Sequence, residues 1–421
     1  MYGYHADIVW MVNAALLIVL IITGVVIFFC VLIKSRIQGA RRSRLLGIKK
    51  NVYETVMSGK GVSEGAPSSV CPINVTPEQF IDVETNRARY AAFFNEAEIA
   101  FLKKCFVSPG QTAKLEKRAK SSWNKWQRVE AILCLGYSQA PSAVDILAKL
   151  VSSKDEDISY YSIVALGQIK TVHSAKVLMD HLRKDPSSGY KIALVFDGFP
   201  DEASDNIIQL TNDPREDVKR WALVLLSKFP VGGYVKKLET LTHEAAPEVR
   251  AAACDCLGKA LRREAKPAIL RCLKDDSWLV KRHAIMALEK LMGDDALPEI
   301  TGFVDDASWS VSGAVAEVMA SHIEAALPYL AKFLVSDNVV AKRFAALALE
   351  DSGYLTKLLK DVISGKANAK ASGVLEGIVR SGFHSGLEAA IAPLEGPERA
   401  KAIKVLSGID GKTAQNLHKA P

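Results

Sequence analysis

Few residues of this chain have the types and the spacing that catalysis needs. Residues 61–65 read Gly-Val-Ser-Glu-Gly and match G-x-S-x-G, the pattern in which a serine on a strand-to-helix turn attacks an acyl group. That chemistry requires a β-strand before the serine and a helix after it. Ser63 instead lies in a run rich in Gly, Ser and Pro, so we attribute the match to chance.

Metal and phosphate chemistry find equally little support in the sequence. The eight histidines stand singly, and neither a P-loop nor a His-Glu-x-x-His pattern occurs. Cys254 and Cys256 are two residues apart, which on a helix points their thiols about 200° apart and prevents them from binding one ion. We expect both to be small core residues. The sequence therefore predicts no catalytic residue, no metal site and no cofactor.

The elements that could position a site are helices. The middle of the chain repeats every 31 residues, and the spacing within each repeat is that of a helix. Four valines carry the period: Val218, Val249, Val280 and Val311. The fourth residue after each is small or β-branched and the eighth is large and aliphatic: Ala222, Ala253, Ala284 and Val315, then Leu226, Leu257, Leu288 and Met319. Positions 0, +4 and +8 share one stripe of a helix, which we expect to be buried. This period predicts stacked helical hairpins with a continuous core.

The same stripe continues in both directions along the chain. Its +4 and +8 residues are Ala131 with Leu135, Ser162 with Leu166, Ala345 with Leu349, Val374 with Ile378, and Ala402 with Leu406. Pro267, Pro298 and Pro328 mark the other helix of three hairpins, since proline suits a first helical turn. Acidic turns such as Asp275-Asp276 follow these helices. We predict an all-α fold with an α-solenoid of about ten hairpins over residues 126–421.

The spacing leaves the position of one carboxylate open. With strict 31-residue spacing, the aliphatic slot after Leu166 holds Asp197, and a buried carboxylate there would be a candidate site. A slip by one residue places Phe196 in the slot instead. We prefer the slip because it avoids burying a charge.

These residues resemble the HEAT-repeat family in its short bacterial form, which combines an acidic turn, Val-Arg or Val-Lys, and Ala-Leu-Gly. The matching segments here are Asp275-Asp276 before Val280-Lys281-Arg282, and Cys134-Leu135-Gly136, Ala165-Leu166-Gly167 and Cys256-Leu257-Gly258. The resemblance implies a helical solenoid. In this family the usual role is protein–protein scaffolding, and a minority of members are bilin lyases or DNA-alkylation-repair glycosylases. Such motifs specify a fold far better than a function.

The N-terminus predicts a membrane anchor. Residues 8–33 contain no charged side chain, and a helix of that length can span a bilayer with some tilt. A signal peptide is the alternative, but no basic residue precedes the apolar run and no small-x-small cleavage site follows it. We predict a short outer segment and a single transmembrane helix in residues 1–33.

Charge and cysteine usage orient the predicted anchor. Residues 34–60 hold eight basic residues against Glu54, whereas His5 and Asp7 are the only titratable side chains apart from tyrosine before the apolar run. The positive-inside rule then places the N-terminus outside and the repeats in the cytoplasm, at the inner (plasma) membrane. The cysteines form no paired framework in loops, which agrees with a reducing compartment.

The segment after the predicted anchor has two interpretations. Arg41, Arg42, Arg44, Lys49 and Lys50 could contact anionic lipid headgroups from a helix on the inner leaflet, or they could be an ordinary positive flank. We assign residues 34–75 to this basic segment and a flexible linker, and residues 76–125 to an N-terminal helical cap.

The charge of the repeats argues against nucleic acid as a partner. Residues 129–421 are slightly acidic overall and lack the basic footprint of a nucleic-acid binder. Residues 103–128 hold eight basic residues and one acidic residue, which keeps this function open as an alternative.

Several of the stripe-bearing helices, which are the second helices of their hairpins, have cations near their start. We expect some of these cations to be structural and others to be functional. The residues directly after the first stripe position are cations that we expect to bond the acidic turns: Lys219, Arg250, Lys281 and Lys342. The next residues face away from the stripe, each with an aliphatic residue one turn later: Arg220 with Val224, Arg282 with Met286, and Arg343 with Leu347. This mixed face suits a groove for a partner protein.

Trp278 and Trp309 occupy equivalent positions, two residues before the valine of their repeat. Exposed tryptophans would anchor a partner. Because they are periodic, we expect them instead to pack each acidic turn onto the neighbouring hairpin.

The sequence thus predicts a non-catalytic, membrane-tethered scaffold that binds membrane-associated partner proteins on a HEAT-like surface. One alternative is an enzyme of the bilin-lyase type, which would need a chromophore-sized pocket and a reactive side chain. The other is a nucleic-acid-binding HEAT protein.

Overall fold

The computed structural model describes residues 47, 50, 77, 80, 81, 99, 100, 103, 109–367, 369–382 and 384–410. These residues form helices and turns, with no strand among them, which confirms the predicted all-α class. From residue 109 onward the helices alternate between the first and the second helix of successive hairpins, as the repeat predicts.

The helices are numbered α1 to α20 within the described part of the chain. The first helices of the hairpins have odd numbers: α1 Pro109–Ser121, α3 Val144–Leu150, α5 Val172–Lys184, α7 Ala203–Leu210, α9 Val235–Leu241, α11 Lys266–Cys272, α13 Leu297–Ile300, α15 Ile323–Val335, α17 Tyr354–Ile363 and α19 His384–Ile391. The second helices have even numbers: α2 Lys125–Tyr137, α4 Glu156–Ile169, α6 Gly189–Val195, α8 Glu216–Leu226, α10 Pro247–Lys259, α12 Trp278–Met292, α14 Trp309–Ser321, α16 Val339–Asp351, α18 Ala369–Ser381 and α20 Gly396–Ile409. Short 3-10 helices lie at Pro141–Ala143, Pro186–Ser188, Gly232–Tyr234, Arg263–Ala265, Gly293–Ala296 and Thr301–Phe303.

The predicted stripe of small and aliphatic residues forms the core. All twelve stripe residues of the four central copies, from Val218 to Met319, are 0% exposed. The stripe residues predicted in the outer copies, such as Leu135 and Leu406, are buried as well. The sequence therefore predicted correctly which side of each second helix is buried.

The glycine of the Ala-Leu-Gly pattern has a steric role. A Cβ atom on Gly258 would lie 2.7 Å from the Cα of Ala287, and one on Gly136 would lie 2.6 Å from the Cα of Ala165. Real Cβ atoms do not approach a backbone that closely. Glycine at these two positions therefore lets one second helix contact the backbone of the next.

The prolines occupy two different positions in their helices. Pro267 and Pro298 are in the first turns of α11 and α13, as predicted. For Pro328 the prediction was wrong, because this residue lies inside α15. In the two preceding repeats a 3-10 helix stands before the proline-bearing helix, whereas α15 begins five residues before its proline.

Phe196 fills the slot that the spacing left open. It is 1% exposed and stacks on Phe199 with ring centroids 4.4 Å apart. Asp197 is exposed and forms an ion pair of 2.6 Å with Lys228. The one-residue slip is confirmed, and a buried carboxylate at this position is excluded.

The chain divides into two compact units, residues 1–181 and 182–421. In the first unit, α1 packs on α2, and Arg118 of α1 pairs with Glu130 of α2 at 2.8 Å. In the second unit, the second helices α8, α10, α12, α14 and α16 pack in succession.

Within the described residues, no helix has the length and hydropathy needed to cross a bilayer. The predicted transmembrane helix at residues 8–33 lies outside the described residues. The predicted boundaries at residues 33, 75 and 125 are not tested, although α1 already pairs with α2 as a first helix.

Candidate functional site

The cations directly after the first stripe residue form ion pairs with the acidic turn of the next hairpin. The Nζ of Lys219 lies 2.8 Å from Glu244, and the Nζ of Lys281 lies 2.9 Å from Asp306. Arg250 donates two hydrogen bonds of 2.8 Å to the two carboxylate oxygens of Asp275. This ladder was predicted, and three of its four members confirm it.

Two of the three ladder carboxylates also hold their own turns. Asp275 accepts a hydrogen bond from the amide of Ser277, and Asp306 accepts one from the amide of Ser308, both at 2.9 Å. Burial alone would raise the pKa of Asp275, but hydrogen bonds from Arg250 and Ser277 outweigh it and lower the pKa. These cations stabilise the acidic turns.

Lys342 is the exception in the ladder. The three paired acids stand 25 residues after their cations, and the corresponding position for Lys342 is Ala367. No carboxylate in the described part of the chain lies within ion-pairing distance of Lys342. The prediction for this residue was therefore wrong, because the sequence supplies no acid at the required position.

The second row of arginines lies on the solvent side of the second helices, each in a different environment. Arg220 of α8 lies over the ring of Trp221 at 4.6 Å. Arg282 of α12 donates to the backbone oxygen of Ser310 at 3.2 Å and lies 3.6 Å from Glu317. Arg343 of α16 is exposed and covers the ring of Trp309 at 4.4 Å.

The two periodic tryptophans are exposed. Trp278 and Trp309 retain 50% and 56% of their accessible surface, so about half of each ring is left outside the packing that was expected with the neighbouring hairpin. Trp309 does touch the next repeat, with its ring edge-on to Phe344 at 5.1 Å. The position lies at the start of a second helix, where half of the ring stays outside the core. The equivalent residue of α16, Val339, is 71% exposed.

These residues form one set on three adjacent helices. Counted from the first stripe residue of each repeat, positions −2, +2 and +6 lie one turn apart on the same side of a helix. We call this set the Trp–Arg face; it consists of Trp278, Arg282 and Met286 on α12, Trp309 and Glu317 on α14, and Val339, Arg343 and Leu347 on α16. Four of the six residues predicted for partner binding belong to it. Trp278 and Trp309 were named as possible partner anchors, although packing was preferred for them. Val339 was missed, although its spacing of one turn from Arg343 could have identified it.

The remaining two predicted residues, Arg220 and Val224, lie apart from the Trp–Arg face. They are on α8, and the intervening helix α10 has Ala251 and Asp255 at the equivalent positions. Ala251 is buried. The row of arginine and aliphatic residues is therefore interrupted at α10.

Arg220 borders an open cavity of about 200 Å³. Its other lining residues include Glu216, Asp217 and Glu248, so carboxylates outnumber the single cation. Sites for drug-sized ligands usually enclose at least about 300 Å³. This cavity is too small for a chromophore of that size.

The cysteines described in the structure are core residues, as predicted. Cys134, Cys254, Cys256 and Cys272 are buried free thiols, and burial raises the pKa of Cys256 to about 12. Such a thiol is a poor nucleophile at neutral pH. The described residues contain no group of three or more His, Cys, Asp or Glu that could hold a metal ion.

The residues predicted to contact lipid fall almost entirely outside the described part of the chain. Arg41, Arg42, Arg44 and Lys49 are not described, and Lys50 is an exposed helical residue. Their role stays a prediction.

Comparison with known proteins identifies the repeat. A family model described as HEAT repeats matches residues 112–196 and 234–320, and no curated protein matches the chain. Similar solved structures include an engineered protein with 17% identity, covering 71% of this chain and 98% of its own, at a TM-score of 0.34. YibA of Escherichia coli has 15% identity, covering 64% and 92%, at a TM-score of 0.30. The complex of CpcE and CpcF of phycocyanin lyase from a Nostoc species has 18% identity, covering 63% and 94%, at 0.30. Residues 112–196 and 234–320 of this all-α chain are thus HEAT repeats.

Proposed function

We propose that this protein is a non-catalytic scaffold, tethered to the inner membrane by residues 8–33, which binds partner proteins on the Trp–Arg face. The observation that carries the proposal is the exposed pair of Trp309 and Arg343, flanked by Trp278 and Val339. Tryptophan and arginine are the side chains that most often dominate protein interfaces. Exposed apolar side chains that are grouped, unlike those scattered singly, are typical of interaction sites.

The chemistry of the Trp–Arg face specifies the kind of partner. Arg343 stacks on an indole, and no carboxylate of the described residues lies within ion-pairing distance of it. Its guanidinium edge is therefore able to donate two parallel hydrogen bonds to a carboxylate of a partner. Met286 and Leu347 supply apolar surface beside it. A partner segment with an acidic residue next to apolar side chains would match this arrangement.

Tethering supports a scaffold role by raising the effective concentration of membrane-associated partners. With tethering, weak contacts on the face would suffice. The alternatives of a bilin-lyase-type enzyme and of a nucleic-acid-binding protein have no specific observation on the described residues in their favour.

The test is affinity capture with the full-length protein in detergent, comparing R282E/R343E with the matched control K332E/K360E. Lys332 and Lys360 are exposed cations on first helices of the same unit, so both variants change the net charge equally. Proteins recovered with the wild type and with the control should be lost with R282E/R343E. Equal recovery with all three proteins would refute the Trp–Arg face as the docking site.

A further inference from the structure

A second exposed surface lies on α1, at the start of the described repeats. The buried residues of this helix are Thr112, Leu115 and Ala119, which recur every three to four positions. Lys114, Lys117 and Lys120 lie on the opposite side and are exposed. In the described part of the chain, no carboxylate stands within ion-pairing distance of any of these three lysines.

Two exposed tryptophans follow this helix closely in the sequence. Trp123, in the turn after α1, is 103% exposed, and Trp126, in the first turn of α2, is 59% exposed. Asn124 fixes the turn between them because its side chain accepts a hydrogen bond of 2.9 Å from the amide of Trp126. Trp123 is thus not packed against the described part of the chain, and its indole is available for contact with another surface.

The two arginines of the segment are engaged in the fold. Arg118 pairs with Glu130 at 2.8 Å, and the Nε of Arg128 donates to the backbone oxygen of Ala119 at 3.0 Å. The charges left exposed are lysine ammonium groups. These are point charges that respond to a negative surface potential, whereas guanidinium groups are suited to bidentate recognition of single phosphates.

We infer that Trp123, Trp126 and the three lysines of α1 form a docking surface for an anionic lipid bilayer. Lysines near an anionic leaflet each gain attraction from its surface potential, and indoles prefer the level of the lipid headgroups. This surface is distinct from the predicted anchor at residues 8–33 and adds a second lipid contact to the proposed tether.

The test uses the full-length protein in nanodiscs of phosphatidylcholine, with or without phosphatidylglycerol, whose acyl chains are brominated to quench tryptophan fluorescence. Trp10 lies in the predicted anchor and is present in every variant, so the difference between the two lipid compositions removes its contribution. Quenching of the wild type should increase when phosphatidylglycerol is present. The increase should be smaller in W123F, and K114Q/K117Q/K120Q should abolish it.

A matched control has equal loss of charge in the same unit. K149Q/K154Q/K176Q neutralises three exposed lysines on other elements of residues 1–181, and it should retain the increase. The inference is overturned if phosphatidylglycerol has no effect on the wild type or if the control variant loses as much as the α1 variant. It is also overturned in favour of nucleic acid if the α1 lysines bind single-stranded RNA while quenching stays independent of phosphatidylglycerol. Neither result depends on the Trp–Arg face, so the scaffold proposal is tested separately.

Discussion

At the scale of the residue, His322 joins three segments through its imidazole ring. Its Nδ1 lies 2.5 Å from Asp294 and its Nε2 lies 3.3 Å from Glu289. A neutral ring has one N–H donor, whereas the imidazolium can donate to both carboxylates. Burial alone would lower the pKa of His322, but the hydrogen bonds to Glu289 and Asp294 outweigh it and raise the pKa.

His322 should therefore make stability depend on pH. Because its folded pKa is raised above the ordinary value of about 6.5, the stabilisation is fully present below that value and is lost as pH rises through the folded pKa. The difference in free energy of unfolding between the wild type and H322Q, measured by urea denaturation, should shrink from mildly acidic to alkaline pH. In the background E289Q/D294N, which removes both carboxylates, the same substitution should show no such trend. A constant difference for H322Q across this range would contradict the prediction.

Arg250 offers a second test at the same scale. Its side chain and that of Asp275 are 18% and 14% exposed, so the pair is only partly screened by water. Removing the guanidinium leaves Asp275 with fewer donors, and R250A should lower the free energy of unfolding by about 2 kcal/mol. K342A changes the equivalent position where no acid stands opposite, and it should stay within about 0.5 kcal/mol of the wild type. Equal effects of the two substitutions in urea denaturation would show that the ladder does not stabilise the turns.

At the scale of the element, the sequence predicted the buried side of the helices better than their exposed side. Burial follows from the periodicity, since the position of Ala253 holds a small or β-branched residue in each central repeat and all of these residues are buried. The exposure of Trp278 and Trp309 does not follow from periodicity, because a repeated residue can serve a packing role or a surface role. The same limit applies to Lys342, where the period predicted an ion pair but the acid is absent.

The close approach of second helices gives a prediction for this scale. In most helices, replacing glycine by alanine stabilises the fold, by roughly 0.5–1 kcal/mol. At Gly258 the added methyl would meet the backbone of Ala287, so G258A should instead destabilise the protein by roughly 1–3 kcal/mol. Gly313 is the matched control within α14, because its nearest neighbour would be a Phe344 ring carbon at 3.8 Å, an ordinary contact. Thermal unfolding in which G313A is as destabilised as G258A would disprove the steric explanation.

At the scale of the whole molecule, charge is concentrated at the N-terminal side of the sequence, while the Trp–Arg face lies in the unit formed by residues 182–421. The eight cations of residues 34–60 and the exposed lysines of α1 both precede the greater part of the repeats. Sequence reasoning located the first cluster but could not select the lysines of α1, because Arg118 and Arg128 form part of the same basic run. The structure separates them, since the arginines are bound within the fold and the lysines are exposed.

Two kinds of membrane attachment should consequently be separable by salt. If residues 8–33 span the bilayer, the full-length protein should stay in the membrane fraction in concentrated salt, because hydrophobic insertion does not depend on screening. A chain lacking residues 2–33 keeps the exposed indoles of Trp123 and Trp126 and its cationic contacts, and salt screens the cationic contacts within about 3 Å at 1 M ionic strength. It should sediment with phosphatidylglycerol vesicles at low salt and be released at high salt, and adding K114Q/K117Q/K120Q should lower the salt needed for release. Release of the full-length protein by salt alone would contradict a transmembrane anchor, whereas sedimentation of the shortened chain that resists salt would contradict an electrostatic contact. The predicted anchor and the α1 surface should thus respond differently to salt concentration, which makes them independently testable.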